Sequence, residues 1–337
     1  MLNNSVKNTL AVVGLCLGGL ATSATANADA DAALRAQAQA FFKPLPAAMP
    51  GSENDTPERI ALGEQLYFET ALSTNGSQSC NSCHQVDNNG AGVDNEPTSP
   101  GALGERGGRN SPTSFNAGFH IAQFWDGRAA DLKAQAKGPI LNPVEMAMPD
   151  EATAEQRLRD AGYAAAFAKA FPNAEPALSY DNMAEAIAAF ERTLITRDRF
   201  DEFLAGDDQA LSAAEKQGLK TFISTGCIAC HSGATLGGTM YQKMGVVNAY
   251  ANTSDIGRQE VTGKASDRFV FKVPALRDIS RTAPYFHDGA AKTLDEAVKQ
   301  MAWLQLGRSL SDADTASIVT FLNALENTRP VTISSVK

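Results

Sequence analysis

The sequence predicts a mostly α-helical protein built from two tandem copies of one small unit. Apolar residues recur with helical spacing, most clearly over residues 181–199, whereas stretches with the two-residue period of a strand are rare. A C-x-x-C-H pentapeptide occurs twice, at residues 80–84 and 227–231. The segments that follow each copy match in order and spacing, which indicates an internal duplication.

The match between the halves continues beyond the pentapeptides. Residues 109–113 correspond to residues 271–275, with a proline at the same place in each. Thirteen residues after that proline comes Trp125-Asp126-Gly127 in one half and His287-Asp288-Gly289 in the other. We therefore predict an N-terminal domain over residues 29–205 and a C-terminal domain over residues 206–337.

Each pentapeptide is typical of covalent haem attachment. Cysteines at i and i+3 lie on one face of a helical turn, within reach of two vinyl groups on one porphyrin edge, and the next residue supplies an iron-ligating imidazole. The alternatives are a redox disulfide, which needs no His, and a shared zinc site, which leaves each adjacent His unexplained. We predict two tandem c-type cytochrome domains with one covalent haem each. The attachment residues are Cys80, Cys83, His84, Cys227, Cys230 and His231.

Residues 1–28 have the features of a secretory signal peptide. Lys7 precedes an apolar run over residues 10–20 that is too short to span a bilayer, and small residues at 26–28 suit cleavage near Ala28. Cys16 lies in the apolar run and would be removed with it. The other four of the five cysteines all lie in the pentapeptides. We therefore expect an exported periplasmic protein without a membrane anchor.

The composition is acidic, with a formal net charge of −9, and loss of Lys7 would make the mature chain one unit more negative. Such a surface disfavours nucleic acid and anionic membranes. It suits a protein partner with a basic docking face. A homodimer is compatible with the sequence.

The ligand opposite each proximal His separates electron transfer from substrate chemistry. Met301 follows the second pentapeptide and can supply a thioether, which raises the reduction potential and closes the iron to substrate. The alternative is an ordinary core methionine. The spacing alone leaves both open.

The first haem has few candidate sixth ligands. The chain has four histidines, and none lies between His84 and His120. An open iron suits peroxide chemistry, which needs a proton-transferring group and a donor that polarises the O–O bond. Gln135 and Glu145 are candidates, although the sequence alone favours a solvated helix residue for Gln135 and a surface charge or helix cap for Glu145. Trp125 is a candidate electron relay between the haems, or a core residue.

Together these motifs resemble the bacterial di-haem cytochrome c peroxidases, a family that includes the di-haem enzyme that matures methylamine dehydrogenase. The resemblance covers nearly the whole mature chain in family order. The matching segments are residues 80–84, 109–113, 123–128, 135–139, 142–146, 227–231 and 282–289.

The resemblance implies a role for each half. The C-terminal haem would be the high-potential site of electron entry, with Met301 as its second ligand. The N-terminal haem would be the peroxidatic site, with Gln135 and Glu145 beside the peroxide and Trp125 between the haems. His287 would lie near a haem propionate.

The resemblance also implies a calcium ion between the domains. Its ligands would be Asn110, Thr282 and Pro284, the last two through backbone carbonyls, as suits a hard cation.

The sequence departs from the family at one position. Most relatives carry a His in the long loop before residue 110, and this His ligates the peroxidatic haem until the other haem is reduced. Here that place is occupied by Ala102, and the loop contains no His. Either the enzyme rests with an open peroxidatic haem, or another residue substitutes, with His120 the only spare imidazole outside the matched segments.

We expect reduction of hydrogen peroxide to water, with electrons from a small periplasmic cytochrome c or copper protein. One alternative is a maturation-type enzyme that oxidises a protein partner and stores oxidising equivalents on both haems. Met301 argues against it, because the resemblance implies Tyr there in the maturation enzyme. Another alternative is a non-catalytic electron shuttle, in which both irons are low-spin and inert to peroxide.

Overall fold

The computed structural model describes Met1 and residues 18–87, 91–329 and 333–334, with side chains from residue 29 onward. It is mostly helical, as the apolar spacing predicts. The helices are α1 (Gly18–Gln39), α2 (Pro57–Tyr67), α3 (Cys80–Cys83), α4 (Leu132–Leu141), α5 (Glu151–Asp160), α6 (Ala164–Ala170), α7 (Tyr180–Glu191), α8 (Arg199–Ala205), α9 (Ala213–Thr225), α10 (Gln259–Thr262), α11 (Leu294–Leu306) and α12 (Asp312–Asn323). The strands β1 (Tyr241–Lys243) and β2 (Val270–Lys272) pair antiparallel, with Tyr241 opposite Lys272.

Side-chain caps set where the longer helices begin. In α9, the Ser212 hydroxyl accepts from the Glu215 N–H while the Glu215 carboxylate accepts from the Ser212 N–H, which satisfies two backbone donors at the helix start. The same helix ends at Thr225 and is capped by Gly226, whose φ of 102° favours glycine. The second pentapeptide begins at the next residue, so this cap directs the chain into it.

Two pairs of helices pack so closely that a glycine lies where the two backbones of each pair meet. Helix α2 packs on α7, and α9 packs on α12. At the first crossing a Cβ on Gly63 would lie 1.8 Å from the Ala186 carbonyl oxygen. At the second, a Cβ on Gly218 would lie 2.1 Å from the Ser317 carbonyl oxygen. Each pair therefore needs a glycine where its backbones meet.

The backbone after each pentapeptide repeats the same series of turns. A left-handed residue starts a 3₁₀ turn at Asn116 in one half and at Asp278 in the other. An isolated antiparallel bridge follows in each, and then α4 or α11 begins at Leu132 or Leu294. Each turn of the first half is the same number of residues away from its counterpart in the second half, which agrees with the alignment of the two halves.

The apolar side chains form two main clusters. One centres on α2 and α7. The other joins α9 and α12 to residues far earlier in the chain, including Phe42 and Phe200. Asp198 and Asp201 also pair with the fully buried Arg277. The domain boundary between residues 205 and 206 stays a prediction, but α1 and α8 bury their apolar faces in the cluster of the second half.

The signal peptide also stays a prediction, because residues 2–17 lie outside the described part of the chain. The helical backbone of α1 runs from Gly18 through the expected cleavage position at Ala28. Across the described residues, no helix combines the length and apolar character needed to cross a membrane.

Candidate functional site

The first pentapeptide lines a cavity of about 510 Å³. Cys80 and Cys83 lie at the two ends of the single-turn helix α3, whose start is capped by Ser79 and Ser82. His84 follows, and its ring Nδ1 lies 2.8 Å from the Pro112 carbonyl. Since a carbonyl only accepts, Nδ1 carries the proton, which leaves the Nε2 lone pair for a metal.

The second pentapeptide lines a smaller cavity of about 240 Å³. Cys227 opens a 3₁₀ turn, and the Nδ1 of His231 lies 3.0 Å from the Leu236 carbonyl, the same arrangement as in the first half. Met301, on α11, lines this cavity. Met244 lines it as well, but its sulfur already accepts from the Gln305 amide at 3.9 Å. Among the described residues, no hydrogen bond engages the Met301 sulfur, and its role as an iron ligand stays a prediction.

The thiols themselves fit covalent attachment better than redox cycling. The four described cysteines form no disulfide. Burial raises the pKa of Cys83 to about 11 and that of Cys227 to about 12. A redox-active pair needs a thiolate near neutral pH, which a raised pKa prevents. Two thiols and an imidazole with a free Nε2, all on one cavity wall, match the requirements of haem c in both halves.

Gln135 and Glu145 both line the first cavity, so the structure brings together the two residues that the sequence analysis singled out. Gln135 lies on α4, and Glu145 follows the end of that helix. The Glu145 carboxylate accepts from the Asn142 amide at 2.7 Å. Burial raises the pKa of Glu145, while Asn142 and Arg128 oppose the rise. A partly buried carboxyl held in this way can take up and release a proton closer to neutral pH than an exposed one.

Trp125 lines both cavities. Its indole Nε1 donates to the Asn110 carbonyl at 2.8 Å, and its ring centroid lies 6.4 Å from that of His287. The backbones of the halves exchange hydrogen bonds around this pair. The Lys272 N–H donates to the Trp125 carbonyl, and the Asn110 N–H donates to the His287 carbonyl, each at 2.7 Å. The indole is therefore fixed where the two halves meet.

The three predicted calcium ligands all line the second cavity; they are Asn110, Thr282 and Pro284. The Asn110 amide nitrogen donates to the Glu96 carbonyl at 2.9 Å. Within the described chain, no group of three or more His, Cys, Asp or Glu side chains is arranged to hold a metal ion. Calcium at this place stays a prediction.

Ala102 is buried beside Glu145. Its N–H donates to the Glu145 carbonyl at 2.7 Å, and its own carbonyl accepts from the Asn75 amide at 2.6 Å. His120 lines the second cavity, and its Nδ1 lies 3.2 Å from the Lys272 ammonium. His120 is absent from the described lining of the first cavity, so this arrangement does not support it as a substitute for the missing ligand.

Sequence reasoning missed several charged groups around the cavities. Arg109 makes a two-point ion pair with Asp255, at 2.6 and 2.8 Å, and also pairs with Asp126. Glu191 is a buried carboxyl on the wall of the first cavity. Arg109 lies in a matched segment, but its partner Asp255 is far away in sequence. No local pattern could have identified the pair.

Comparisons with known proteins agree with this geometry. Residues 57–209 match the family model described as "Di-haem cytochrome c peroxidase". The chain is 46% identical to the cytochrome c551 peroxidase of Pseudomonas aeruginosa, over 94% of this chain and 93% of that protein. It is 34% identical to the methylamine utilization protein MauG of Methylorubrum extorquens, over 84% of this chain and 78% of that protein.

A solved structure is also similar. The crystal structure of a MauG-like protein associated with microbial copper homeostasis has a TM-score of 0.76 and 26% sequence identity, and the alignment covers 87% of this chain and 96% of that one. Both the sequence motifs and the tertiary arrangement thus agree with one group of proteins. The chain belongs to the di-haem cytochrome c peroxidase family of oxidoreductases, whose members carry two haem c groups.

Proposed function

We propose that the protein reduces hydrogen peroxide to two molecules of water, taking up two electrons and two protons in each turnover. The observation that carries the proposal is that Gln135 and Glu145 line the same cavity as the first C-x-x-C-H pentapeptide. An amide donor and a partly buried carboxyl are the groups that O–O bond cleavage requires.

Haem bound at each pentapeptide would supply an iron that accepts and delivers electrons one at a time. The residues of the chain supply the rest of the chemistry. Glu145 takes a proton from the near oxygen of peroxide and returns it to the leaving oxygen, and Asn142 orients its carboxylate. Gln135 donates a hydrogen bond that polarises the O–O bond. The raised pKa of Glu145 suits a group that must both accept and donate a proton.

Electrons would enter through the second half and cross to the first. Met301 would be the second iron ligand there, and a thioether favours the ferrous state. Trp125 lies against both cavities and would form the connection between them. The donor would be a small cytochrome c or copper protein with a basic face, as the acidic composition suggests. Export to the periplasm, two tandem domains, calcium at Asn110 and a homodimer belong to the same proposal.

Two observations favour peroxide over oxidation of a protein partner. The identity to the P. aeruginosa cytochrome c551 peroxidase is 46%, against 34% for MauG of M. extorquens. In addition, a methionine lines the second cavity at the position where the resemblance implies Tyr in the maturation enzyme.

The test is steady-state peroxide turnover with a reduced small cytochrome, starting from fully oxidised enzyme. Wild-type protein should turn over, and Glu145→Gln should reduce the rate about 10²- to 10⁴-fold because the proton-transfer group is lost. Glu105→Gln is the matched control, since Glu105 is an exposed residue of the neighbouring loop. Equal rates for wild type and Glu145→Gln would contradict the assigned role, and no turnover in any form would contradict peroxide reduction itself.

A further inference from the structure

Lys272 is a buried cation without an acidic partner. It ends β2, its exposed fraction is 7%, and it lines the second cavity. Among the described residues, no carboxylate lies within ion-pair distance of its ammonium. The hydrogen-bond partner that the structure gives it is the Nδ1 of His120, at 3.2 Å. Burial of an ammonium without a compensating anion is costly.

His120 holds the Lys272 ammonium in place as a hydrogen-bond acceptor. Because the Lys272 ammonium can only donate, the Nδ1 of His120 accepts, and the proton of the neutral ring sits on Nε2. That Nε2 is buried and has no hydrogen-bond partner among the described atoms. The ring packs against Gly238, where a Cβ would lie 2.3 Å from the imidazole Cδ2, and the neighbouring Ile121 N–H donates to the Gly238 carbonyl. The position of the ring is therefore set by the backbone.

The second cavity is the place where an anion that compensates the Lys272 charge can lie. The lining near Lys272 is otherwise mainly apolar, with residues such as Phe124, Phe271 and Val273. The Lys272 N–H donates to the Trp125 carbonyl at 2.7 Å, which fixes the backbone from which the side chain extends. The Lys272 ammonium has two N–H groups besides the one that it donates to His120. They suit a carboxylate, which accepts more than one hydrogen bond.

We propose that Lys272, oriented by its hydrogen bond to His120, binds a carboxylate in the second cavity and that this carboxylate is a propionate side chain of the haem attached at Cys227 and Cys230. This inference rests on the proposed function, because it requires the second haem. It assigns to Lys272 a positioning and electrostatic role that neither the motifs nor the resemblance predicts.

The proposal has an electrostatic consequence. A positive charge held close to an iron centre favours the ferrous over the ferric state, because reduction lowers the positive charge of the iron. Removing the Lys272 charge should therefore lower the midpoint potential of the second haem. We expect an approximately tenfold shift in the ferrous-to-ferric ratio at a fixed ambient potential, which equals about 59 mV for one electron.

The experiment is a spectroelectrochemical titration of the haem-loaded enzyme, with haem content measured in every variant. Lys272→Met should lower the potential of the second haem and leave two haems per chain, while Lys272→Arg should retain most of the wild-type value. Lys243→Met is the matched control, because Lys243 is an exposed residue on the partner strand β1. An unchanged potential in Lys272→Met would overturn the proposal.

Two further measurements distinguish a haem propionate from a free anion at Lys272. A wild-type potential that changes with chloride concentration, and becomes insensitive in Lys272→Met, would mean that a free anion fills the site and would overturn the propionate assignment. Should Lys272→Met fail to fold, infrared difference spectra of wild type with haem labelled with ¹³C at the propionates decide the matter. An ionised, hydrogen-bonded carboxylate supports the proposal, and a protonated acid overturns it. Failure of the proposed function itself would appear differently, as a missing second haem or absent peroxide turnover in wild type.

Discussion

Glu191 shows how one buried side chain can govern the pH dependence of the protein. It ends α7, lines the first cavity, and leaves its Oε2 without a hydrogen-bond partner among the described atoms. Burial raises its pKa from 4.5 to about 8, with Arg192 opposing the rise. Between these two values the folded protein binds more protons than the unfolded chain, so the free energy of unfolding falls as the pH rises.

Glu191→Gln should remove the part of this pH-dependent loss of stability that comes from ionising Glu191. The variant should gain stability over wild type as the pH rises from 5 to 8, by an amount on the order of a few kcal/mol, since one pKa unit corresponds to about 1.4 kcal/mol. Denaturant unfolding of the haem-loaded forms at both pH values measures it, with Glu105→Gln as the exposed control. If wild type and Glu191→Gln lose stability equally between pH 5 and pH 8, the carboxyl is not the source.

Met301 allows a second test at a single residue. Met301→His should lower the potential of the second haem, because a nitrogen donor favours ferrous iron less than a thioether does. Potentiometric titration measures the change. Met244→His is the matched control, since Met244 lines the same cavity with its sulfur already engaged by Gln305. If only Met244→His lowered the potential, Met244 and not Met301 would be the iron ligand.

At the scale of elements, the loop around Ala102 is tied to the rim of the first cavity by backbone hydrogen bonds. Gly101 donates to the Glu105 carbonyl at 2.8 Å, which closes the loop, and Ala102 donates to the Glu145 carbonyl. A Cβ on Gly101 would lie 2.3 Å from the Val144 carbonyl oxygen. The loop thus packs directly against the segment that carries Glu145, and it does so without an imidazole.

The missing imidazole predicts a resting enzyme that needs no activation. The first haem should give a high-spin ferric signal in the oxidised enzyme, which should react with peroxide directly. Ala102→His should convert this haem to low-spin and introduce a lag that prior reduction removes, because a loop ligand favours the closed state. Electron paramagnetic resonance and stopped-flow mixing with peroxide measure both effects.

Leu103→His is the control for Ala102→His, because Leu103 is the next residue and is 64% exposed. It should leave the spin state unchanged. A wild-type enzyme with two low-spin haems that reacts with peroxide only after reduction would contradict the prediction and indicate a substitute ligand.

The helix crossings predict where an extra methyl group cannot be accommodated. Gly63→Ala should destabilise the protein by several kcal/mol, because its Cβ would meet the backbone of α7, which cannot move as a side chain can. Gly108→Ala is the control, since its Cβ would have no neighbour within 4 Å. Chemical denaturation measures the free energy of unfolding of both variants. Equal stability would mean that the α2–α7 crossing can widen without cost.

At the scale of the whole molecule, the same kind of backbone hydrogen bond joins the two halves at two corresponding positions. Asn110 and Lys272 occupy corresponding places in the repeat, and each donates its N–H to the carbonyl of the other half's Trp125 or His287. Arg109 adds the ion pair to Asp255. The first half thus presents Trp125 to the cavity of the second, and these contacts fix the indole between the two cavities.

Haem content should follow the two pentapeptides independently. Mature wild type should carry two covalent haems, and Cys80→Ala combined with Cys83→Ala should leave one, because each cavity has its own thiols and imidazole. Intact-protein mass spectrometry counts the haems. The corresponding change at Cys227 and Cys230 is the matched experiment. Retention of both haems in either double variant would contradict covalent attachment at that pentapeptide.

Much of the site was predictable, because its chemistry lies in short motifs. The pentapeptides, Gln135, Glu145 and Met301 are close in sequence to the helices that position them, and the family assignment that they suggested is confirmed. Their roles stay predictions. The core was harder to predict, since Phe42 and Phe200 lie before residue 206 yet pack with α9 and α12. Apolar spacing indicates which face of a helix is buried, but it does not identify the partner of that face.

The sequence by itself determined the helical class and the internal repeat, and it predicted the attachment chemistry, because each is encoded by residue types at fixed local spacing. Only the tertiary structure decided which residues share a cavity and which charges lack a partner. It brought Ala102 against Glu145, kept His120 away from the first cavity, and left Lys272 buried without an acid. The reason is physical: burial and ion pairing depend on contacts between residues far apart in sequence, and no local pattern records them.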